Sequence, residues 1–234
     1  MSTTHFFCNK GIFHNQVFFI LNILKVCRYF TSTKTHCLNQ ALHFKANKHL
    51  EKIMTIFFFS QCIKVKHHMT PLTVLGDSDA ILKYLATTYN VPDHWYPKLP
   101  EKRARVDEYM AWHHVNTRMH ASTVFLQEVI FPRMGQPTNP AKFEKSLADL
   151  DGTLDMLENM FLKRQPFLCG DDISLADLLA VCELMQPLCS GRDILKDRPK
   201  LLSWRSRVQS ALSDSFDEAH SVVYQIREKF TAKL

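Results

Sequence analysis

The sequence predicts a mainly α protein: a helical bundle over the C-terminal two thirds, preceded by a basic segment of a different kind. Three observations predict it. Apolar residues recur at helical spacing from residue 78 onward. Proline and capping residues punctuate those stretches where helices should begin and end. The composition breaks near residue 70, since all ten prolines lie at or after Pro71 while ten of seventeen Phe lie before it.

The first helix is expected at 78–89, with Ala80, Ile81, Tyr84 and Leu85 as a one-sided stripe. Asn90-Val91-Pro92-Asp93 closes it, because Asn favours a helix exit and proline cannot continue one. Trp95-Tyr96-Pro97 reads as a linker whose aromatics tuck against some neighbouring surface. A long helix is expected from near Pro100 to about Phe131, with Val106, Tyr109, Met110, His113 and Thr117 on one side. Pro132 and Pro137 bound a loop. Asn139-Pro140 then supplies an N-cap and an N1 proline. Behind it Phe143, Leu147, Leu150, Leu154, Leu157 and Phe161 step by four and three, an amphipathic seam.

Ile173-Ser174-Leu175-Ala176-Asp177-Leu178 is the sharpest local signal. Ser174 and Asp177 have capping-box spacing, and Ile173 and Leu178 occupy the hydrophobic-staple positions. Asp177 therefore reads as a folding device rather than a catalytic acid. The helix it opens is apolar nearly all round, which places it in the bundle centre, and Pro187 stops it after about Met185. Two more helices are expected, at Pro199–Leu212 and about 217–229.

Charged residues are 22% of the chain and apolar residues 46%, which excludes global disorder. Residues 1–70 hold nine Lys/Arg and one acid, Glu51; the remainder holds twenty bases and twenty-two acids. The net charge of +6 is thus concentrated in the first segment. There, 56–59 reads as a buried strand and 17–24 as a strand or short helix, with little turn punctuation around them. The patch Lys64-Val65-Lys66-His67-His68 has no nucleic-acid-binding module around it, so no nucleic-acid partner is expected. Seven cysteines, an odd number with no C-x-x-C pair, argue against a disulfide framework and for a reducing compartment. The His and Cys spacings match no ligand pattern, so no metal is expected. The apolar run at 16–27 is interrupted by Asn22 and Lys25 and is too short to span a bilayer. The first fifty residues lack acids, as transit peptides do, but carry one Arg. A cytoplasmic location is expected, with a mitochondrial one as the alternative.

Several motifs then converge. Asp77-Ser78 opening a helix, followed by Val91-Pro92-Asp93-His94-Trp95-Tyr96-Pro97, resembles the domain junction of theta-class glutathione transferases. So do Ala104-Arg105-Val106-Asp107-Glu108-Tyr109 with Trp112 and His114, Pro166-Phe167-Leu168 with Gly170, and Glu183-Leu184-Met185 with Pro187. Arg198-Pro199-Lys200-Leu201 extended by Trp204-Arg205 completes the set, which runs from about residue 75 to 230 in family order.

The resemblance implies a glutathione-transferase helical domain at 99–234, a linker at 91–98, and at 73–90 the last helix of a thioredoxin-like domain. Residues 1–72 stay unassigned, so the thioredoxin-like α/β region would be truncated or aberrant. It also implies glutathione as co-substrate, small electrophiles or peroxides as second substrates, and a homodimer. Asp77 and Ser78 match the acid–Ser pair that grips the γ-glutamyl end, with Asp in place of the usual Glu. An acid suits the ammonium, and a hydroxyl at a helix N-terminus suits the carboxylate. Arg118 matches an arginine beside the glutathione and substrate pocket, its alternative being a surface salt bridge. His113 and Met119 are candidates for the electrophile pocket or for core packing. The candidate for the thiolate-stabilising serine is Ser60, after the 56–59 run, although it lies much nearer to Asp77 than the family pattern has it. The alternative function is a catalytically inactive helical interaction domain.

Overall fold

The computed structural model describes residues 77–88 and 91–232. Expectations for the 17–24 and 56–59 runs, the basic patch and Ser60 fall outside these residues. Besides the three-residue helix Phe131–Arg133 and several short 3-10 and π turns, the described part holds seven α-helices and no β-strand. They are α1 (Ser78–Thr88), α2 (Pro100–Trp112), α3 (Thr117–Phe125), α4 (Pro140–Met156), α5 (Leu175–Leu184), α6 (Pro199–Leu212) and α7 (Asp214–Thr231).

α5 is the central rod, with all ten of its residues buried. Its Leu175, Leu178, Leu179, Val181 and Leu184 each contribute roughly 1.5–3 kcal/mol by leaving water. The start of this rod is fixed from four directions. The Asp177 carboxylate accepts from the Ser174 N–H and hydroxyl, both at 2.9 Å, completing the capping box. It also accepts the Leu168 N–H at 2.9 Å and the Trp204 indole N–H at 2.8 Å, tying α5 to the preceding loop and to α6. Burial pushes this carboxyl above its ordinary value, and the surrounding donors pull the other way.

α3 packs against α4 and α5, while α2 also leans on α5. α4 begins as its sequence demands, with Asn139 Oδ1 accepting the Lys142 N–H at 3.1 Å and Pro140 in the first turn. Of its seam, Leu150, Leu154, Leu157 and Phe161 are buried, and Phe143 and Leu147 pack at the core's margin. Trp95 is buried in the linker, and His94 Nδ1 lies 2.6 Å from the Ile173 carbonyl, so the linker is docked onto the base of α5.

Three local expectations are corrected. The long helix from Pro100 is not continuous, because a 3-10 turn at His113–Val115 and an irregular Asn116 (φ −122°, ψ −93°) divide α2 from α3. The Asn116 amide donates to the Trp112 carbonyl at 2.9 Å, supplying a bond the broken helix lacks. The buried stripe of α1 is Ile81, Leu82 and Ala86 together with Ser78 and Asp79, whereas Tyr84 and Leu85 are only half-buried. A hydrophobic count misses this rotation because two polar residues face inward. Finally, α7 starts at Asp214, since Ser213 turns the chain at φ +49° and acids at Asp214 and Asp217 favour the new N-terminus.

Candidate functional site

α1 meets the α2–α3 junction through a buried cluster of charges. Asp77 Oδ1 accepts the N–H groups of Asp79 and Ala80 at 3.0 and 3.1 Å, so Asp77 caps α1 and remains exposed. The next two residues point inward. Ser78 Oγ accepts from Arg118 Nη2 at 2.6 Å. Asp79 meets His113 Nε2 at 3.0 Å and His114 Nε2 at 3.2 Å.

The 3-10 turn between α2 and α3 is what allows this. It carries His113 and His114 side by side, ring centroids 4.2 Å apart, with Tyr109 stacked on His113 at 5.8 Å. On the far side of His113, its Nδ1 lies 3.0 Å from Glu183 Oε1, near the end of α5. Arg118 Nε donates to that same oxygen at 3.0 Å. Glu183 Oε2 is buried with no hydrogen-bond partner among the described residues. A chain of contacts thus runs Ser78–Arg118–Glu183–His113–Asp79, joining α1, the junction, α3 and α5.

The electrostatics follow from that packing. Burial alone would raise the Asp79 carboxyl, but the His113 hydrogen bond and the charges of His113, His114 and Arg118 hold it below its ordinary value. Burial opposes a charge on His113, yet its bonds to Asp79 and Glu183 prevail and lift its pKa to about 9. At neutral pH His113 is an imidazolium held between two carboxylates.

Five residues proposed from the sequence lie in the described part. Asp77 and Ser78 open α1 at the edge of the cluster, and Arg118 is 22% exposed and bound to buried Glu183, which is not a surface salt bridge. His113 is fully buried with both ring nitrogens engaged, so it faces the cluster and presents no atom to a pocket. Met119, beside Arg118, is 46% exposed. Asp79, His114 and Glu183 were missed as site residues. Their signal, a second acid directly after Asp77-Ser78 and a His pair ahead of Arg118, has meaning only once α1 is laid across the junction. A separate open groove, lined by Gln127, Phe131, Asn139, Lys142 and Ser146, shares no residue with the cluster.

This fold has close counterparts. Residues 122–211 match the family described as "Glutathione S-transferase, C-terminal domain". Glutathione S-transferase theta-3 of Mus musculus is 47% identical over 157 residues, covering 66% of this chain and 65% of the relative. Human glutathione S-transferase T1-1 in its apo form superposes with a TM-score of 0.64 at 43% identity, covering 68% of both chains. A human theta-class glutathione transferase in complex with the glutathione conjugate of 1-menaphthyl sulfate gives a TM-score of 0.66 at 39% identity, over 70% of this chain and 68% of that one. The chain belongs to the glutathione S-transferases, in their theta class. It spans just under two thirds of the length of the curated relative.

Proposed function

We propose that the chain acts as a glutathione transferase, joining the thiol of reduced glutathione to small electrophiles and accepting organic hydroperoxides as further substrates. The observation that carries this reading is the buried start of α1, where Ser78 is held by Arg118 in a chain 43–47% identical to theta-class transferases. In this reading the exposed Asp77 carboxylate pairs with the γ-glutamyl ammonium. The Ser78 hydroxyl takes the γ-glutamyl carboxylate, with the Arg118 guanidinium adding positive charge. Met119, exposed next to Arg118, offers an apolar and adaptable surface for the electrophile. Ser60 is the candidate donor to the thiolate, and such a donor lowers the thiol pKa and raises the thiolate fraction at neutral pH.

A homodimer in the cytoplasm belongs to the same proposal. No helix among the described residues is long and apolar enough to cross a membrane. Retention on immobilised glutathione with elution by free glutathione, together with chloride release from an aryl chloride and turnover of cumene hydroperoxide, is the expected behaviour. Asp77→Ala and Ser78→Ala should each raise the KM for glutathione about tenfold or more, the weight of one charge-assisted hydrogen bond. Background turnover with no retention would refute the proposal.

A further inference from the structure

Sequence spacing gave no hint of a metal, because Asp79 and His113 lie 34 residues apart and no ligand motif links them. Folding brings them together with His114. One carboxylate oxygen of Asp79 and one nitrogen of each imidazole lie within 4.8 Å of one another, a grouping of potential ligands found once among the described residues. We propose that Asp79, His113 and His114 form a binding site for a borderline divalent transition-metal ion of the zinc type, clasping α1 to the α2–α3 junction.

Four features of the cluster point to such an ion. The donor set is two imidazole nitrogens and one carboxylate, which suits zinc and its neighbours better than the all-oxygen-seeking magnesium or calcium. Asp79 Oδ2 stands 3.0 Å from His113 Nε2 and 3.2 Å from His114 Nε2. Bonds of about 2.0–2.1 Å in a tetrahedron need ligand separations of about 3.3 Å, so these two edges need to open only slightly. Glu183 Oε1 at 3.0 Å from His113 Nδ1 is the carboxylate behind a ligating histidine that holds the tautomer and directs Nε2 forward. Glu183 is in turn fixed by Arg118 Nε at 3.0 Å, and His113 by the stacked Tyr109 ring.

Charge supplies the fourth. With both imidazoles neutral, the carboxylates of Asp79 and Glu183 face the single permanent cation of Arg118, leaving the cluster one positive charge short. A divalent ion would supply that positive charge and leave the second-sphere contacts of Glu183 and Arg118 intact. Access is through His114, whose side chain is 38% exposed while Asp79 and His113 are buried. His114 Nδ1 lies 3.5 Å from Arg118 Nη1, so Nε2 is the nitrogen directed at Asp79. Three protein ligands leave a fourth position for water, and the clasp adjoins Ser78, whose hydroxyl donates to Asp79 Oδ1 at 3.3 Å.

The test uses the full chain stripped with a chelator and titrated with Co2+ alone, since tetrahedral cobalt reports its geometry by intense visible absorption. One equivalent should raise that band without the near-ultraviolet sulfur charge-transfer band that cysteine ligation would give. Zn2+ should bleach it, and Zn2+ should also raise the thermal midpoint of the protein. His114→Ala, at a partly exposed position, should weaken cobalt binding at least tenfold and abolish the zinc-induced shift. Asp79→Asn should do the same. No visible band, a band carrying the sulfur signature, or a band unchanged in His114→Ala would each overturn the proposal.

Discussion

Removing the Asp177 carboxylate should be among the most damaging single changes to this protein, and its cost can be worked from four distances. Asp177→Ala leaves the Leu168 N–H, the Ser174 N–H and the Trp204 indole N–H without their acceptor, all in the buried base of α5. The Ser174 hydroxyl also loses its acceptor, but a hydroxyl can rotate to another. An orphaned buried donor costs about 1–3 kcal/mol, and partial relaxation lets three of them sum to about 4 kcal/mol. For a protein of this size that is a fall of about 8–16 °C in thermal midpoint. Asp177→Asn keeps one acceptor oxygen but turns an amide N–H towards a donor, so about half that loss is expected. Urea denaturation followed by tryptophan fluorescence gives the free energies. Trp204→Phe, which removes one donor, should couple to Asp177→Ala by about 1–2 kcal/mol in a double-mutant cycle. A loss under about 1 kcal/mol for Asp177→Ala, or strict additivity with Trp204→Phe, would refute the account of Asp177 as the tie between α5, α6 and the loop.

Other expectations concern the charge cluster and one helix cap. His113 has its pKa raised to about 9 in the folded protein, so its contribution is fully present below pH 6.5 and is lost as pH rises through 9. In a chelator, stability should therefore fall by about 3 kcal/mol between pH 6.5 and pH 10 relative to His113→Gln, measured by urea titration at each pH. Arg118→Ala should cost about 3 kcal/mol, because among the described residues Glu183 keeps only His113 as a partner in its buried site, and should also weaken retention on immobilised glutathione. Asn139→Ala should cost about 1 kcal/mol, the loss of the cap on the Lys142 N–H, with no change in glutathione retention.

Helix starts were the most legible part of the fold. Asn139-Pro140, adjacent in the chain, and Ser174 with Asp177, three apart, announce their helices, so the information needed sits inside one turn. The central burial of α5 was equally readable, because an all-round apolar helix can be satisfied only inside a bundle. The α2–α3 break was not. Asn116 and the His113–Val115 turn carry no proline or glycine, and the break exists where His113 is drawn between Asp79 and Glu183. For the candidate site, Asp77, Ser78 and Arg118 could be named by family resemblance, but their partners could not. Glu183 is an acid near the end of an apolar helix and Asp79 an acid in a first helical turn, and neither position by itself names a partner.

The order of the helices, their caps and membership of the theta class are written in contiguous stretches of this chain, since short-range hydrogen bonds and apolar periodicity act between near neighbours. Which way His113 points, which carboxylates hold it, and which residue Arg118 serves were decided only by packing α1, the junction and α5 together. Charges separated by tens of residues acquire partners, and buried ones acquire their protonation states, only when the fold removes the water between them.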